Sequence, residues 1–402
     1  MRPVATKTEQ TLDPQLPKRL IGHFVGKADG PTLVAVGSIH GNEPSGRIAL
    51  ERVARFLSRG ENLLKGRVWL LTGNVKASVQ QTRYVDVDLN RRWTREHILR
   101  NSAENHRPDH TSEDSEQHEL LKIFGEILRT AADEVFVLDL HTTSADGTPF
   151  ATVGDTMRNR RFALKFPVTI LLGIEEQLEG TLLEFLNNEG AVTLGFEAGQ
   201  HDAGSSIANH EALVFAALVH AGILNAEQIP RFREYEETLR RSTGRPGVIE
   251  VRHREPVAPE DGFRMEVGFR NFDRVKAGQL LATNRSGEIR ARESGMILMP
   301  LYQKQGEDGF FIVRRVASLW LTVSGILRRM DAARFVRFLP GVQVYPKSPE
   351  QFQVNTRIAR LVPLQVFHLL GFRRLRWKRH FLFVSRRRFD TAGPFTKRER
   401  LR

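Results

Sequence analysis

Cysteine is absent from this sequence of 402 residues. Disulfide bonds and thiolate metal sites are therefore excluded, and any zinc ion would need histidine and carboxylate ligands. Long apolar segments are absent too, because the first residues contain no signal-peptide core and no run of about 18 apolar residues follows. These absences predict a protein that is neither exported nor membrane-spanning, and a reducing cytoplasm is its expected location.

The sequence has fewer acidic than basic residues, with 47 Asp and Glu against 60 Lys and Arg, so the formal net charge is +13. Most of this surplus is local. Residues 371–402 contain ten arginines and two lysines against Asp390 and Glu399. The basic charge is therefore a property of the C-terminal end rather than of the whole surface.

The chain is longer than the roughly 250–300 residues at which single hydrophobic cores stop growing, which predicts more than one domain. Residues 19–228 alternate short apolar runs with helical patterns, as α/β domains do, and residues 1–18 are predicted to be an N-terminal tail. We expect strands at 32–39, 67–73, 134–141, 150–154, 168–172 and 191–198. We expect helices at 44–57, 115–132, 157–166, 180–188 and 209–224.

Two further regions follow the α/β domain. A charged segment, 229–245, separates it from residues 247–327, where short β-like pieces punctuated by glycine predict a small all-β domain. Part of this region resembles the barrel-sandwich pattern of biotin- and lipoyl-carrier domains, but no lysine occurs between Gly287 and Met299, so no carrier function is inferred. Residues 328–402 are predicted to form a basic C-terminal extension, with a helix at 363–370 and a strand at 380–384.

The segment VAVGSIHGNEPSG places His40 and Glu43 three residues apart, after an apolar run and just before a helical pattern. This spacing lets an imidazole nitrogen and a carboxylate oxygen reach one small cation. An isolated pair often arises by chance, and a hydrogen-bonded or solvent-facing histidine is the ordinary alternative. A metal site therefore requires a third ligand candidate.

His141 is that candidate, at the end of the apolar run in VFVLDLHTTS. A close pair followed by a distant histidine is typical of a two-histidine, one-carboxylate zinc site with one position left open. Asp139 would point to the same side of a strand and could orient an imidazole, although a polar strand-end residue would look the same.

Glu197 ends another apolar strand, in AVTLGFEAGQH. A carboxylate there must be solvated, paired or functional, because burial without a partner costs several kcal/mol. Beside a zinc ion it could accept a proton from water and pass it to a leaving amine.

The loop TRYVDVDLNRRW concentrates charged and amide side chains, namely Arg83, Asp86, Asp88, Asn90, Arg91 and Arg92. Guanidinium and amide groups suit a substrate carboxylate and a developing oxyanion. A solvated charged loop would have the same composition.

Together these motifs resemble the succinylglutamate desuccinylase/aspartoacylase family, relatives of the zinc carboxypeptidases. The motifs in family order are H-G-N-E ending at Glu43, T-R-Y-x-D-x-D-L-N-R ending at Arg91, D-L-H ending at His141 and F-E-A-G ending at Gly199. The resemblance covers roughly residues 20–330. It implies a zinc carboxypeptidase-like α/β domain with a mixed central sheet flanked by helices, followed by a small all-β domain that partly covers the cleft.

The resemblance also implies roles for the residues that match. His40, Glu43 and His141 would hold one zinc ion per chain. Glu197 would activate water, and Arg83 would stabilise the oxyanion of the reaction.

Substrate binding is implied for Asn90 and Arg91, which would hold a substrate carboxylate, while Asp88 would brace their loop. Tyr302, in the turn MPLYQKQG, is a positional candidate from the covering domain, although a core or surface tyrosine is the ordinary alternative. One departure concerns specificity: aspartoacylases use an arginine about ten residues before the catalytic glutamate, and here that residue is Asn187. The reaction class is therefore better supported than the substrate.

The expected function is zinc-dependent hydrolysis of the amide bond of an N-acyl amino acid, with ester bonds as a further option. A zinc carboxypeptidase acting on short peptides is the first alternative. The second is an anionic-surface or nucleic-acid binder, because FRRLRWKRHFLFVSRRRFD interleaves basic and aromatic residues. A packed strand with a solvated cationic face, or a subunit contact, would explain the same pattern.

Nucleic acid and membrane are accordingly not expected partners, and homo-oligomer formation is left open. His201, His210 and His253 are assigned no metal role, and His201 is the one nearest to a motif, as a candidate for the rim of the pocket.

Overall fold

A computed structural model describes residues 17–59, 64–103, 110–344, 351–355, 364–378 and 381–395. The predicted N-terminal tail up to residue 16 and the basic residues 396–402 lie outside these ranges. None of the described helices is both long enough and apolar enough to cross a membrane.

The described strands are β1 Leu20–Val25, β2 Ala28–Gly37, β3 Lys65–Thr72, β4 Val135–Thr143, β5 Phe150–Val153, β6 Thr169–Leu172, β7 Val192–Gln200, β8 Val248–Pro256, β9 Arg264–Met265, β10 Arg274–Val275, β11 Leu280–Asn284, β12 Gly287–Arg290, β13 Gly295–Leu298, β14 Asp308–Arg315, β15 Val342–Val344, β16 Gln351–Asn355, β17 Phe372–Lys378 and β18 Phe381–Arg386. The described α-helices are α1 Pro44–Leu57, α2 Val75–Gln80, α3 Arg95–Ala103, α4 Ser112–Thr130, α5 Met157–Ala163, α6 Leu182–Asn188, α7 Gly204–His220, α8 Phe232–Thr243, α9 Ser318–Arg329 and α10 Leu364–Leu369.

An eleven-stranded sheet is the largest feature of the described chain, in the order β1-β3-β2-β4-β7-β5-β6-β8-β14-β13-β10. Strands β3, β2, β4 and β7 run parallel, whereas β1 and β5 are antiparallel to their neighbours β3 and β7. The sheet is therefore mixed, and the expectation of a mixed central sheet flanked by helices is confirmed.

Helices cover both faces of the parallel strands, which explains why β4 is a nearly continuous apolar run rather than an alternating one. On one face, α1 and α7 contribute residues such as Leu50 and Leu213 to the core. On the other face, α4 and α6 contribute residues such as Phe124 and Leu186. The parallel strands are thereby fixed, and the residues at their carboxyl ends are held in place.

All six predicted strands and all five predicted helices of the α/β region correspond to described elements, with differences mainly at their ends. Helix α1 begins and ends where it was predicted, because Pro44 takes the first helical position. The edge strand β1 and the helices α2, α3 and α8 were not predicted. Strand β1 is half-exposed, and α2 has six residues, so neither carries a strong periodic signal.

The charged segment 229–245 contains helix α8. Its apolar side packs against α7, where the rings of Tyr235 and Phe215 stack with centroids 4.5 Å apart. The segment therefore belongs to the core of the α/β region, because a single face of an otherwise charged helix suffices to bury it.

The β-rich residues after α8 continue the central sheet. Strand β8 pairs in parallel with β6, and β14, β13 and β10 extend the sheet in antiparallel fashion. Strands β9, β11 and β12 form a separate small sheet whose apolar residues share a cluster with this extension, including Leu281, Ile297 and Phe310. Helix α9 begins at Ser318, inside the region predicted to be all-β. A barrel-sandwich classification stays a prediction.

The described part of the C-terminal extension forms a four-stranded antiparallel sheet in the order β15-β16-β18-β17, packed with α10 around Phe352, Phe367 and Phe372. Helix α10 corresponds to the predicted helix, and β18 to the predicted strand, whose first residue, His380, lies outside the described residues. The sheet places this basic segment beside α5.

Candidate metal centre

The candidate residues lie at the carboxyl ends of three neighbouring parallel strands. His40 follows β2, His141 lies near the end of β4, and Glu197 lies in β7, directly paired in register with His141. Polar residues at this edge of a sheet lie close together because parallel strands end on the same side. The turn after β2 is tight, and a side chain at Gly41 would meet the Ala77 backbone at 2.1 Å.

Three side chains converge in this cluster. His40 Nδ1 is 2.9 Å from Glu43 Oε1, and His141 Nδ1 is 3.2 Å from Glu43 Oε2. Atoms suitable as metal ligands, one from each of the three buried residues, all lie within 4.8 Å of one another. Two imidazole nitrogens and one carboxylate form a ligand set common in catalytic zinc sites, so these residues fit a zinc ion.

The second nitrogen of each imidazole faces a buried carboxylate. His40 Nε2 is 3.2 Å from Asp88 Oδ1, and His141 Nε2 is 2.9 Å from Asp139 Oδ2. Such outer carboxylates fix the ring orientation and the tautomer of a metal-binding histidine. Both Nδ1 atoms are thereby directed towards Glu43, which also accepts a hydrogen bond of 2.8 Å from the Thr142 backbone NH.

Charge and burial determine the protonation of these groups. Burial would raise the pKa of Glu43, but the neighbouring His40 and His141 hold it well below the usual range. Burial would lower the pKa of His141, but Asp139 and Glu43 raise it well above 6.5. The cluster thus pairs an ionised Glu43 carboxylate with a His141 imidazole that carries a proton in the absence of a cation.

Glu197 has a different environment. Its buried Oε2 atom has no hydrogen-bond partner among the described residues. Burial, with the nearby charges of Glu43 and Asp139, raises the pKa of Glu197 to about 8, although His141 and Arg83 act in the opposite direction. A carboxyl group with a pKa near neutrality can both accept and donate a proton at working pH.

The charged loop after α2 lies beside the cluster. Arg83 donates to Asp88 Oδ2 through Nη2 at 3.0 Å, and its Nη1 is 3.6 Å from Glu43 Oε1. Asp88 also accepts a hydrogen bond from the Asn90 backbone NH. The single carboxylate of Asp88 therefore contacts His40, Arg83 and the backbone of this loop.

Asn90 and Arg91, the two residues of this loop that were predicted to bind substrate, form hydrogen bonds within the protein. The side-chain oxygen of Asn90 accepts from the Leu182 backbone NH at 2.9 Å, and its Nδ2 is 3.5 Å from His141 Nε2. Arg91 donates to Asp308 Oδ2 at 2.8 Å. Asp308 lies in β14, so this contact connects the loop to the β-rich region.

A cavity of about 150 Å³ opens onto the cluster. Its polar lining includes His40, Glu43, Arg83, Asn90, Arg91, Asp139, His141 and Glu197. Its apolar lining includes Val153, Ile174, Leu178, Leu183, Met299, Leu301 and Phe311. The β-rich region therefore forms one side of the cavity.

Tyr302 does not line this cavity. Its hydroxyl accepts from the Phe269 backbone NH and donates to the Glu266 carbonyl, and the residue is 39% exposed. The neighbouring Gln303 lines the cavity instead, and its Oε1 accepts from Asn42 at 2.9 Å. The sequence analysis selected a turn that does border the cavity, but it could not give the direction of each side chain. It therefore named Tyr302, whereas Gln303 lines the cavity.

The other histidines have structural partners. His201 lies 2.7 Å from Thr142 Oγ1 and 3.2 Å from Gln303 Oε1, at the edge of the site. His210 lies 3.1 Å from the His141 carbonyl, beneath the cluster. His253 lies 3.0 Å from Glu255 in β8. None of the three lines the cavity.

Comparisons with known proteins concern the family and the fold of this region. Residues 29–221 match the family model "Succinylglutamate desuccinylase/Aspartoacylase catalytic domain". The structure resembles a succinylglutamate desuccinylase/aspartoacylase from Rhodobacter sphaeroides, with a TM-score of 0.54 and 20% identity over 74% of this chain and 88% of that one. The search of curated protein sequences finds no significant match.

Two further structures show the same fold. A succinylglutamate desuccinylase from Vibrio cholerae has a TM-score of 0.53 and 18% identity, over 72% of this chain and 82% of that one. The product-bound ectoine utilization protein from Ruegeria pomeroyi has a TM-score of 0.52 and 20% identity, over 73% of this chain and 87% of that one. At such low identity the likeness concerns the fold.

Proposed function

Residues 29–221 belong to the succinylglutamate desuccinylase/aspartoacylase catalytic-domain family, and from this premise we propose that the protein is a zinc-dependent deacylase that hydrolyses the amide bond of an N-acyl amino acid. One observation carries the proposal: His40, Glu43 and His141 converge, while the unpartnered carboxylate oxygen of Glu197 lines the same cavity. A ligand set and a general base would therefore act on the same small volume, which supports the proposal.

His40, Glu43 and His141 would hold the zinc ion, with Asp88 and Asp139 orienting the two imidazole rings. When bound, zinc polarises a carbonyl and lowers the pKa of water. Glu197 is the group that moves the proton. It accepts a proton from the attacking water while the new carbon–oxygen bond forms, and donates it to the amine nitrogen as the amide bond breaks.

Arg83 is assigned to the developing oxyanion. Its guanidinium lines the cavity and is held by Asp88, so its direction is fixed before the substrate arrives. A preorganised donor of this kind contributes more in a site from which water is excluded. Asn90 and Arg91 are assigned to the substrate α-carboxylate, with Asp308 positioning the Arg91 guanidinium.

A peptidase is the alternative, since the same residues would serve a carboxypeptidase acting on short peptides. The cavity favours the deacylase, because a volume of about 150 Å³, bordered by Met299 and Leu301, suits a small acylated amino acid better than a peptide chain.

The test is a hydrolysis panel on protein whose zinc content has been measured. We expect one zinc per chain and release of free amino acid from N-succinyl, N-acetyl or N-formyl amino acids, with little release from di- and tripeptides. Preferential cleavage of peptides would establish the alternative. Protein that takes up no zinc and cleaves neither class would refute both.

A further inference from the structure

A second pocket lies in the C-terminal region, and none of the candidate metal ligands lines it. Its volume is about 470 Å³, within the range of small-molecule sites. Its described lining contains six arginines, namely Arg328, Arg329, Arg334, Arg386, Arg387 and Arg388. Asp331 and Asp390 are the only acidic residues of that described lining, so the pocket is strongly cationic.

The two carboxylates of the pocket already bind arginines. Asp390 accepts from Arg328 Nη1 through Oδ1 and from Arg386 Nη2 through Oδ2, at 3.2 Å in both cases. Asp331 Oδ1 accepts from Arg386 Nη1 at 2.7 Å. The acidic side chains are thus shared between Arg328 and Arg386, and they do not balance the remaining arginines.

Three exposed arginines of the pocket form no ion pair among the described residues, namely Arg329, Arg334 and Arg388. Arg334 Cζ lies 4.9 Å from the centroid of the Phe335 ring, and Arg388 Cζ lies 5.2 Å from that of Phe389. Stacking uses the face of a guanidinium, whereas its NH groups point outwards in the plane. These NH groups can therefore donate to an anion in the pocket.

The base of the pocket is packed and apolar. The rings of Phe352 and Phe372 meet edge to face, with centroids 5.3 Å apart, and Phe372 is almost fully buried. Beside them, the buried Nε of Arg386 has no hydrogen-bond partner among the described residues. A buried donor without an acceptor costs free energy, and an apolar base strengthens attraction between a guanidinium and an anion. Both features favour a bound anion.

Phosphate groups fit this pocket best. Arginine binds phosphate through two parallel hydrogen bonds, and one phosphate group offers three strong acceptor oxygens and up to about two negative charges. Several phosphates on one ligand would compensate the repulsion among the gathered arginines. A nucleic-acid duplex presents its phosphates along an extended backbone, which suits a long basic surface better than a pocket of this size.

We propose that this pocket binds a ligand that carries two or more phosphate groups, either a soluble organic phosphate or a lipid headgroup. Arg329, Arg334, Arg386 and Arg388 contact the phosphate oxygens. The site goes beyond the deacylase activity and does not depend on it. Arg387 lines both this pocket and the catalytic cavity, so the two sites adjoin.

Calorimetry on the full chain at low salt tests the site, with inorganic tripolyphosphate as the probe. We expect saturable binding that weakens as salt is added. Arg334→Gln and Arg388→Gln should each weaken it about 10-fold, because each removes a charged hydrogen-bond donor. Any extraction of zinc by the probe is common to all variants. Citrate should bind more weakly, and an equal affinity for citrate would overturn the inference of a phosphate site.

Arg337→Gln is the matched control for Arg334→Gln. Both arginines lie in the short helical segment Ala332–Phe338, and Arg337 Cζ also lies 4.9 Å from the ring centroid of the following phenylalanine. Arg337 is not part of the described lining of the pocket. Its replacement should leave the affinity unchanged. Equal losses in the two variants would overturn the inference, since the probe would then bind to general surface charge.

Asp331→Asn should change the affinity in the opposite direction. Asp331 competes with the ligand for Arg386, and its side chain is 62% exposed, so the replacement disturbs no core packing. Asparagine also tolerates the left-handed backbone of this position, where φ is 50°. Tripolyphosphate should bind roughly twofold to fivefold more tightly. Unchanged or weaker binding would overturn the inference.

Flotation with vesicles distinguishes the sources of the phosphate. Phosphatidylcholine vesicles that bind the protein only when they contain phosphatidylinositol bisphosphate, and only with Arg334 intact, would support the headgroup. Binding of tripolyphosphate without vesicle binding would support a soluble ligand. Single-stranded DNA that binds more tightly than tripolyphosphate, and that Arg334→Gln and Arg337→Gln weaken equally, would overturn the pocket in favour of a nucleic-acid surface. Thermal unfolding verifies that each variant is folded, and no result depends on hydrolysis.

Discussion

His141 and Glu197 face each other across the parallel strands β4 and β7, as direct register partners. One is held by Glu43 and Asp139, and the other has a buried oxygen with no hydrogen-bond partner among the described residues. In the proposed function, adjacent strands would therefore carry the two different tasks of holding a cation and moving a proton.

Glu197→Gln should abolish most turnover without removing the metal. The amide keeps the shape of the side chain but cannot accept the proton, so kcat should fall about 100- to 10,000-fold. Steady-state kinetics with metal analysis checks this, and Glu234→Gln, exposed on α8, serves as the control. A Glu197→Gln protein that retains its rate would exclude Glu197 as the base.

Asp139→Asn should weaken metal binding. Loss of the carboxylate facing His141 Nε2 removes the group that orients the ring, and such changes typically cost about 10- to 100-fold in affinity. Competition with a chelator measures the effect. Asp133→Asn, at the turn before β4, changes the same residue type outside the site and should leave the affinity as it was; an equal loss in both variants would argue against an orienting role.

Asp390→Asn should destabilise the fold. The change leaves the fully buried Arg328 with one carboxylate fewer, and breaking a buried ionic network costs about 3–5 kcal/mol. Urea unfolding gives the value. Asp331, whose side chain is 62% exposed, pairs with Arg386, and Asp331→Asn should cost less than about 1 kcal/mol. Similar values for the two variants would contradict this account.

His220 should make stability depend on pH. Burial, together with Lys165, lowers the pKa of His220 to about 4. An unfolded chain takes up this proton below about pH 6.5, whereas the folded protein resists it until about pH 4, so stability falls as the pH drops through this interval.

The variant His220→Phe should reduce that dependence. The ring packs edge-on against Phe166 with centroids 4.9 Å apart, and Nε2 has no hydrogen-bond partner among the described residues. A phenyl ring can therefore keep the aromatic contact, although the hydrogen bond to the Lys165 backbone is lost. Urea midpoints at pH 5 and pH 8 should differ less in the variant than in the wild type. An unchanged difference would mean that other groups cause the pH effect.

Sequence reasoning located the cluster because each of its residues ends a recognisable apolar strand or opens a helix. It placed His40, His141 and Glu197 at or just after strand ends and Glu43 just before a helix, and a shared edge of parallel strands brings such residues together. The local sequence pattern was therefore sufficient to predict where these four residues lie.

Contacts between residues that lie far apart in the sequence could not be predicted from sequence patterns. Arg91 and Asp308 are 217 residues apart, and Asn187 and Arg387 are 200 residues apart. No periodicity or spacing relates such positions, since each contact depends on how whole sheets are placed. The same limit explains why the continuation of the central sheet from β6 to β8 was not anticipated.

The cavity draws its side chains from widely separated stretches of the chain. The cluster lies within residues 29–221, whereas Leu301, Gln303 and Arg387 lie beyond them. Changes in the segment that carries Arg387 would therefore alter the wall of the cavity without altering the residues of the cluster.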